Sequence, residues 1–82
     1  MARWNNSDRT PLAILRADAG YSAERAAALL NVVMITLYRY EKGLTDIPLS
    51  IAEKMATLYN VPFDKIREAA KYVRDKHHDE QR

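Results

Sequence analysis

Apolar residues along this chain gather into five short clusters separated by polar or glycine-containing breaks. The first, Leu12, Ile14 and Leu15, follows Thr10-Pro11, a capping hydroxyl and then a proline suited to the first helical position. The helix so begun stops at Gly20. Ser22 can cap a second helix, residues 23–30, whose alanines make it strongly helix-prone. Asn31 then marks a turn, because asparagine tolerates left-handed backbone angles better than most residues. The run from Val32 to Tyr38 is β-branched and aromatic, so local propensity alone favours a strand there. The pattern around it outweighs that weak preference and predicts a third helix closed by Lys42-Gly43, although Val33 stands where a capping serine is expected.

Residues 44–47 read as a loop, and Pro48 opens a fourth helix with Ile51, Met55 and Leu58 on one face. Residues 60–62 break the chain again. Phe63, Ile66, Ala70 and Val73 then space a fifth helix, ending near Lys76, like a short coiled-coil seam. Phe63 and Ile66 are expected to pack on their own domain, whereas Ala70 and Val73 suit either that or a dimer contact. Residues 1–9 have no apolar period and read as a flexible N-terminal arm, and residues 77–82 as a frayed polar C-terminal tail. The prediction is therefore an all-α, compact five-helix domain over residues 10–76.

The 82 residues suit one domain with a small core, and 48% hydrophobic with 29% charged residues is the balance of a globular protein. The absence of cysteine excludes disulfides and thiolate metal sites. The longest apolar stretch, Leu29 to Leu37, is too short to cross a bilayer, and Arg3 and Trp4 lead straight into the polar run Asn5 to Arg9, unlike a secretion signal, so a cytoplasmic location is expected. Thirteen Lys and Arg against eleven Asp and Glu leave a net charge of +2, which permits nucleic-acid binding without arguing for it. Catalysis is not expected. There is no cysteine nucleophile, no glycine-rich phosphate loop and no serine with a nearby histidine. No cofactor is expected either. His77-His78 form a poor metal site, because stable zinc sites need three or four protein ligands.

The chemistry lies between Gly20 and Gly43, where the spacing is that of a helix-turn-helix. Two helices crossing steeply need a small residue at their approach, here Ala27, and a sharp turn four residues on, here Asn31. They also need inner apolar anchors, for which Leu30, Val32, Leu37 and Tyr40 are suitably spaced.

With those residues in place, residues 12–66 resemble the lambda-repressor-like, Cro/C1 (XRE) type of DNA-binding domain, over about two thirds of the chain. The matching features are Leu15-Arg16, Gly20, Ser22, Ala27, Leu30, Val32, Thr36-Leu37, Arg39, and Glu41 with Gly43. Met55-Ala56, Asn60-Val61, Asp64 and Ile66 continue the match through helices four and five. The resemblance implies that Arg16 of helix one pairs with Glu41 at the end of helix three. It also implies that helix three docks in the major groove of double-stranded DNA. By position, Met34 and Ile35 would face the bases, with Val33, Tyr38 and Arg39 alongside, and Thr36 would belong to the DNA contact. Arg39 suits a guanine edge, Tyr38 a phosphate or a base, and Lys42 with the amides from Gly43 to Thr45 the DNA backbone. The implied function is a sequence-specific regulator of the kind phages and mobile elements use as repressors, binding as a homodimer.

Two departures stand out. Ala23 occupies the position of a phosphate-binding glutamine in many relatives, and Val33, Met34 and Ile35 cannot hydrogen-bond through their side chains. Those three could touch thymine methyl groups, meet a protein partner in an adaptor, antirepressor or antitoxin-like module, or, for Met34 and Ile35, lie in the core. Arg39 could equally be a solvated surface charge, and Arg3 and Arg9 around Trp4 could reach a minor groove or stay disordered.

Overall fold

A computed structural model describes residues 10–80, with side chains described as far as Val73. The arm of residues 1–9 and the side chains of His77-His78 lie outside the described residues. Five helices follow in order: α1 (Pro11–Asp18), α2 (Ala23–Leu30), α3 (Met34–Lys42), α4 (Leu49–Tyr59) and α5 (Phe63–Glu80). No strand occurs among the described residues.

The helix ends follow short-range chemistry. The Thr10 hydroxyl accepts from the Ala13 amide at 3.4 Å, and the Ser22 hydroxyl from the Arg25 amide at 3.0 Å, satisfying donors that the first turn leaves unpaired. Gly20, Asn31, Gly43 and Asn60 all adopt positive φ. After each, the next amide reaches back to close the helix: Tyr21 to Arg16, Val32 to Ala27, Leu44 to Arg39 and Val61 to Ala56, at 2.9–3.1 Å. This left-handed closure with an apolar residue just beyond it is the Schellman arrangement, so the Gly/Asn-plus-apolar pairs punctuate the chain.

Each helix sends one large side chain into the centre: Leu12, Leu30, Leu37, Met55 and Ile66 are all essentially inaccessible. Around them pack Ala26, Ala27, Tyr40, Ala52, Ala56, Tyr59 and Ala69. Five short helices thus share one core, and none could bury its apolar stripe alone.

Several expectations are corrected. Ile14 is exposed, because two residues from Leu12 it points about 200° around α1. Val73 is buried within its own domain, which removes it as a dimer contact, whereas Ala70 is half-buried. The helix expected to end near Lys76 continues to Glu80, since no glycine or proline interrupts it.

Candidate nucleic-acid interface

Three residues, Asn31, Val32 and Val33, join α2 to α3. Asn31 at φ 61° turns the chain, Val32 tucks partly against the core, and Val33 returns to extended backbone at φ −79°, ψ 157°. The buried methyls of Ala26 and Ala27 keep α2 close to the packing centre. α3 then starts with no side-chain cap, because valine offers no acceptor to the free amides of the first turn.

The far end of α3 is clamped to α1. Arg16 Nε donates to Glu41 Oε2 at 2.7 Å and Nη2 donates to Oε1 at 3.3 Å, a two-pronged pairing that fixes orientation as well as distance. The remaining guanidinium nitrogen, Nη1, donates to the Tyr21 carbonyl at 3.1 Å and so ties in the segment before α2. Glu41 is the one charged residue buried among those described. Tyr59 lies beside this pair, its ring 6.4 Å from that of Tyr21, and its buried hydroxyl has no hydrogen-bond partner. Burial, reinforced by the Glu41 charge and partly opposed by Arg16, pushes the Tyr59 hydroxyl up to about 12. The resemblance implied the Arg16–Glu41 pair, whereas nothing local marks Tyr21 or Tyr59 as its neighbours.

With Leu37, Tyr40 and Glu41 turned inward, Met34, Ile35, Tyr38 and Arg39 are exposed and Lys42 is half-buried. At about 100° per residue, Ile35, Arg39 and Lys42 fall within about 60° of one another on the side opposite Leu37. Val33, Met34, Ile35 and Tyr38 are 64%, 50%, 56% and 54% exposed, so Met34 and Ile35 are not core in this domain. Arg39 is exposed and forms no ion pair among the described residues. Lys42 sits over the Tyr38 ring, 5.1 Å from its centroid, in a cation–π contact one turn along the helix. Thr36 is half-buried on the flank of α3, and Thr45 is exposed in the loop beyond it.

The expectation for backbone amides needs revision. Gly43 and Leu44 spend theirs on the carbonyls of Tyr40 and Arg39, at 3.2 and 2.9 Å, in closing α3. Of the three proposed for phosphate contact, only the Thr45 amide takes no part in that closure. The sequence reading also assigned no role to Leu44 or Arg25, both exposed near the ends of this unit. Leu44 follows the left-handed Gly43, a place where an apolar residue ordinarily packs back on its helix, so its exposure was not legible.

Residues 10–69 match a protein family described as a helix-turn-helix domain. A protein of Pyrobaculum aerophilum, provisionally named an HTH-type transcriptional regulatory protein, is 38% identical over 58 residues. That alignment takes in 71% of this chain but only 23% of the relative, so the chain spans about a quarter of that protein's length. No solved structure matches the chain.

Proposed function

We propose, from the premise that this chain belongs to the XRE-like helix-turn-helix domain family, that it is a sequence-specific transcriptional regulator that lays α3 in the major groove of double-stranded DNA. One observation carries the reading. The Arg16–Glu41 clamp fixes the inner side of α3, while its outer side carries the exposed Ile35 and Arg39, with half-buried Lys42 beside them against the Tyr38 ring. A rigid helix with an accessible face of that width is what groove docking needs.

In this reading Arg39 addresses a guanine, whose two acceptors match its fork. Tyr38 and Lys42, held together, meet phosphate, as does the Thr45 amide beyond the helix, and Gly43 lets the chain leave without a side chain in the way. Thr36 lies at the edge of the contact, and Val33, Met34 and Ile35 lead into the groove. A single unit makes few base contacts, so a homodimer is proposed, with α3 helices about 34 Å apart over half-sites one turn of DNA apart. A repressor of phage or mobile-element type, acting in the cytoplasm, is the form of regulator we favour. The family supports a binding role and not a catalytic one. No helix among the described residues is long and apolar enough to cross a membrane.

A second reading is favoured by the exposure of Val33, Met34 and Ile35. In it the same frame is reused to hold a protein partner at that tip. Selection from a random DNA pool with purified protein at moderate salt separates the two. A palindromic motif supports the dimeric regulator, whereas protein that is folded by circular dichroism yet enriches nothing points to the interaction module.

A further inference from the structure

The outer face of α3 carries an apolar residue and a cation one turn apart: Ile35 and Arg39, flanked by Met34, Tyr38 and Lys42. From this juxtaposition we infer that the protein reads C5-methyl groups of pyrimidines lying within about two base pairs of a guanine, with Ile35 the residue that senses the methyl and Arg39 the one that reads the guanine. The inference rests on the DNA-binding reading and names its recognition chemistry.

Three features favour a groove over a protein as occupant of this tip. Lys42 shares the face with Ile35, whereas the buried centre of a protein interface is depleted of lysine. α3 begins uncapped at Val33, so its first amides and their partial positive charge stay available beside the apolar cluster. Arg39 forms no ion pair among the described residues and has its whole fork to offer.

Within the groove, the choice of base follows from desolvation. An isoleucine pressed on a donor or acceptor edge strips it of water and returns no hydrogen bond, which is costly. The C5-methyl of thymine is the apolar feature of the major-groove edge, and 5-methylcytosine carries the same group at the same ring carbon. Ile35 and Arg39 are four residues apart, about 6 Å along α3. With bases rising about 3.4 Å per step, their targets lie within about two base pairs of each other.

The test uses the full chain and the duplex that the random-pool selection enriches, with affinity measured by fluorescence anisotropy. Each thymine is replaced in turn by deoxyuridine, which removes only the methyl. At a thymine within about two base pairs of the guanine that Arg39→Ala no longer distinguishes, the loss should be about fourfold per methyl. At the same position, 5-methylcytosine should bind about fourfold more tightly than cytosine, a comparison in which the hydrogen-bonding edge is unchanged. The variant Ile35→Ser, folded by circular dichroism, should bind the thymine and deoxyuridine sites equally.

Equal binding of thymine and deoxyuridine sites by the unaltered protein, or an enriched motif with no thymine near a guanine, overturns the methyl reading and leaves DNA recognition standing. A deoxyuridine penalty that persists in Ile35→Ser overturns the assignment to Ile35 and traces the effect to DNA shape. Folded protein that enriches no motif removes both readings together and leaves the tip to a protein partner.

Discussion

Replacing Glu41 by alanine should cost about 3 kcal/mol of folding stability. The figure follows from the burial of the Arg16–Glu41 pair, whose side chains are only 16% and 8% exposed. Removing one member of a buried pair costs about 3–5 kcal/mol, because the other charge is left without compensation, whereas an exposed pair is worth under about 1 kcal/mol. Two features pull the value to the low end of the buried range. Arg16 retains its bond to the Tyr21 carbonyl at 3.1 Å, and its partial exposure lets water reach the guanidinium. For a domain of this size a loss of about 3 kcal/mol lowers Tm by roughly 12–24 °C. Urea titration followed by far-UV circular dichroism measures it, and the double variant Arg16→Met/Glu41→Leu should recover much of the loss, since two apolar side chains leave no orphan charge. Binding to DNA, measured where Glu41→Ala is still folded, should weaken too, because α3 loses the contact that sets its angle. A cost under about 1 kcal/mol, or one that vanishes when the salt is raised to about 1 M, would mean that the pair behaves as a screened surface contact. The clamp would then not be what orients α3.

Three further outcomes are expected. Val33→Ser should raise stability by about 1 kcal/mol in the same titration, since serine can cap the open start of α3 and the exposed valine gives up no core packing. Its affinity for the selected DNA should nevertheless fall, and a stability gain with no binding loss would remove Val33 from the contact. Tyr59→Phe should leave stability at pH 7 unchanged or raise it, because the buried hydroxyl lacks a partner; a drop of more than about 1 kcal/mol would reveal a hydrogen bond to an internal water. The same variant should flatten part of the alkaline instability. Below pH 10 the folded and unfolded chains both keep the Tyr59 proton, whereas between 10 and about 12 only the folded chain does. That difference removes roughly 2–3 kcal/mol by pH 12, and a stability–pH curve for Tyr59→Phe parallel to that of the unaltered protein would contradict it. Arg39→Ala should weaken binding to the selected site far more than to random duplex, by about 1–3 kcal/mol at one base pair; equal losses on both would reduce Arg39 to a phosphate contact.

What the residues announced by themselves is the punctuation and therefore the helices. Thr10-Pro11 and Ser22 start helices, and Gly20, Asn31, Gly43 and Asn60 end them, because a cap or a left-handed turn involves groups at most about five residues apart. The period of apolar positions located Leu12, Leu30, Leu37, Met55 and Ile66 in the same way, since one face of a helix is a matter of spacing alone. Even in the strand-prone run from Val32 to Tyr38, the residues from Met34 onward became helical, as the helices packed around them outweigh a propensity of a fraction of a kcal/mol.

Whether a given apolar residue ends up inside was decided elsewhere. Met34 and Val73 look alike in sequence, yet Val73 is covered and Met34 is not, because exposure depends on which other helix arrives over that face. Arg16 and Glu41 are 25 positions apart, and family resemblance, not any local signal, paired them. The Tyr21 carbonyl lies only five residues from Arg16, whereas the unpartnered Tyr59 hydroxyl, at the end of α4, reached the pair only through the packing of the helices. Contacts of that range are made when elements dock, so their geometry exists only in the tertiary structure. It is that docking which holds Glu41 inward and leaves Ile35 and Arg39 facing out together.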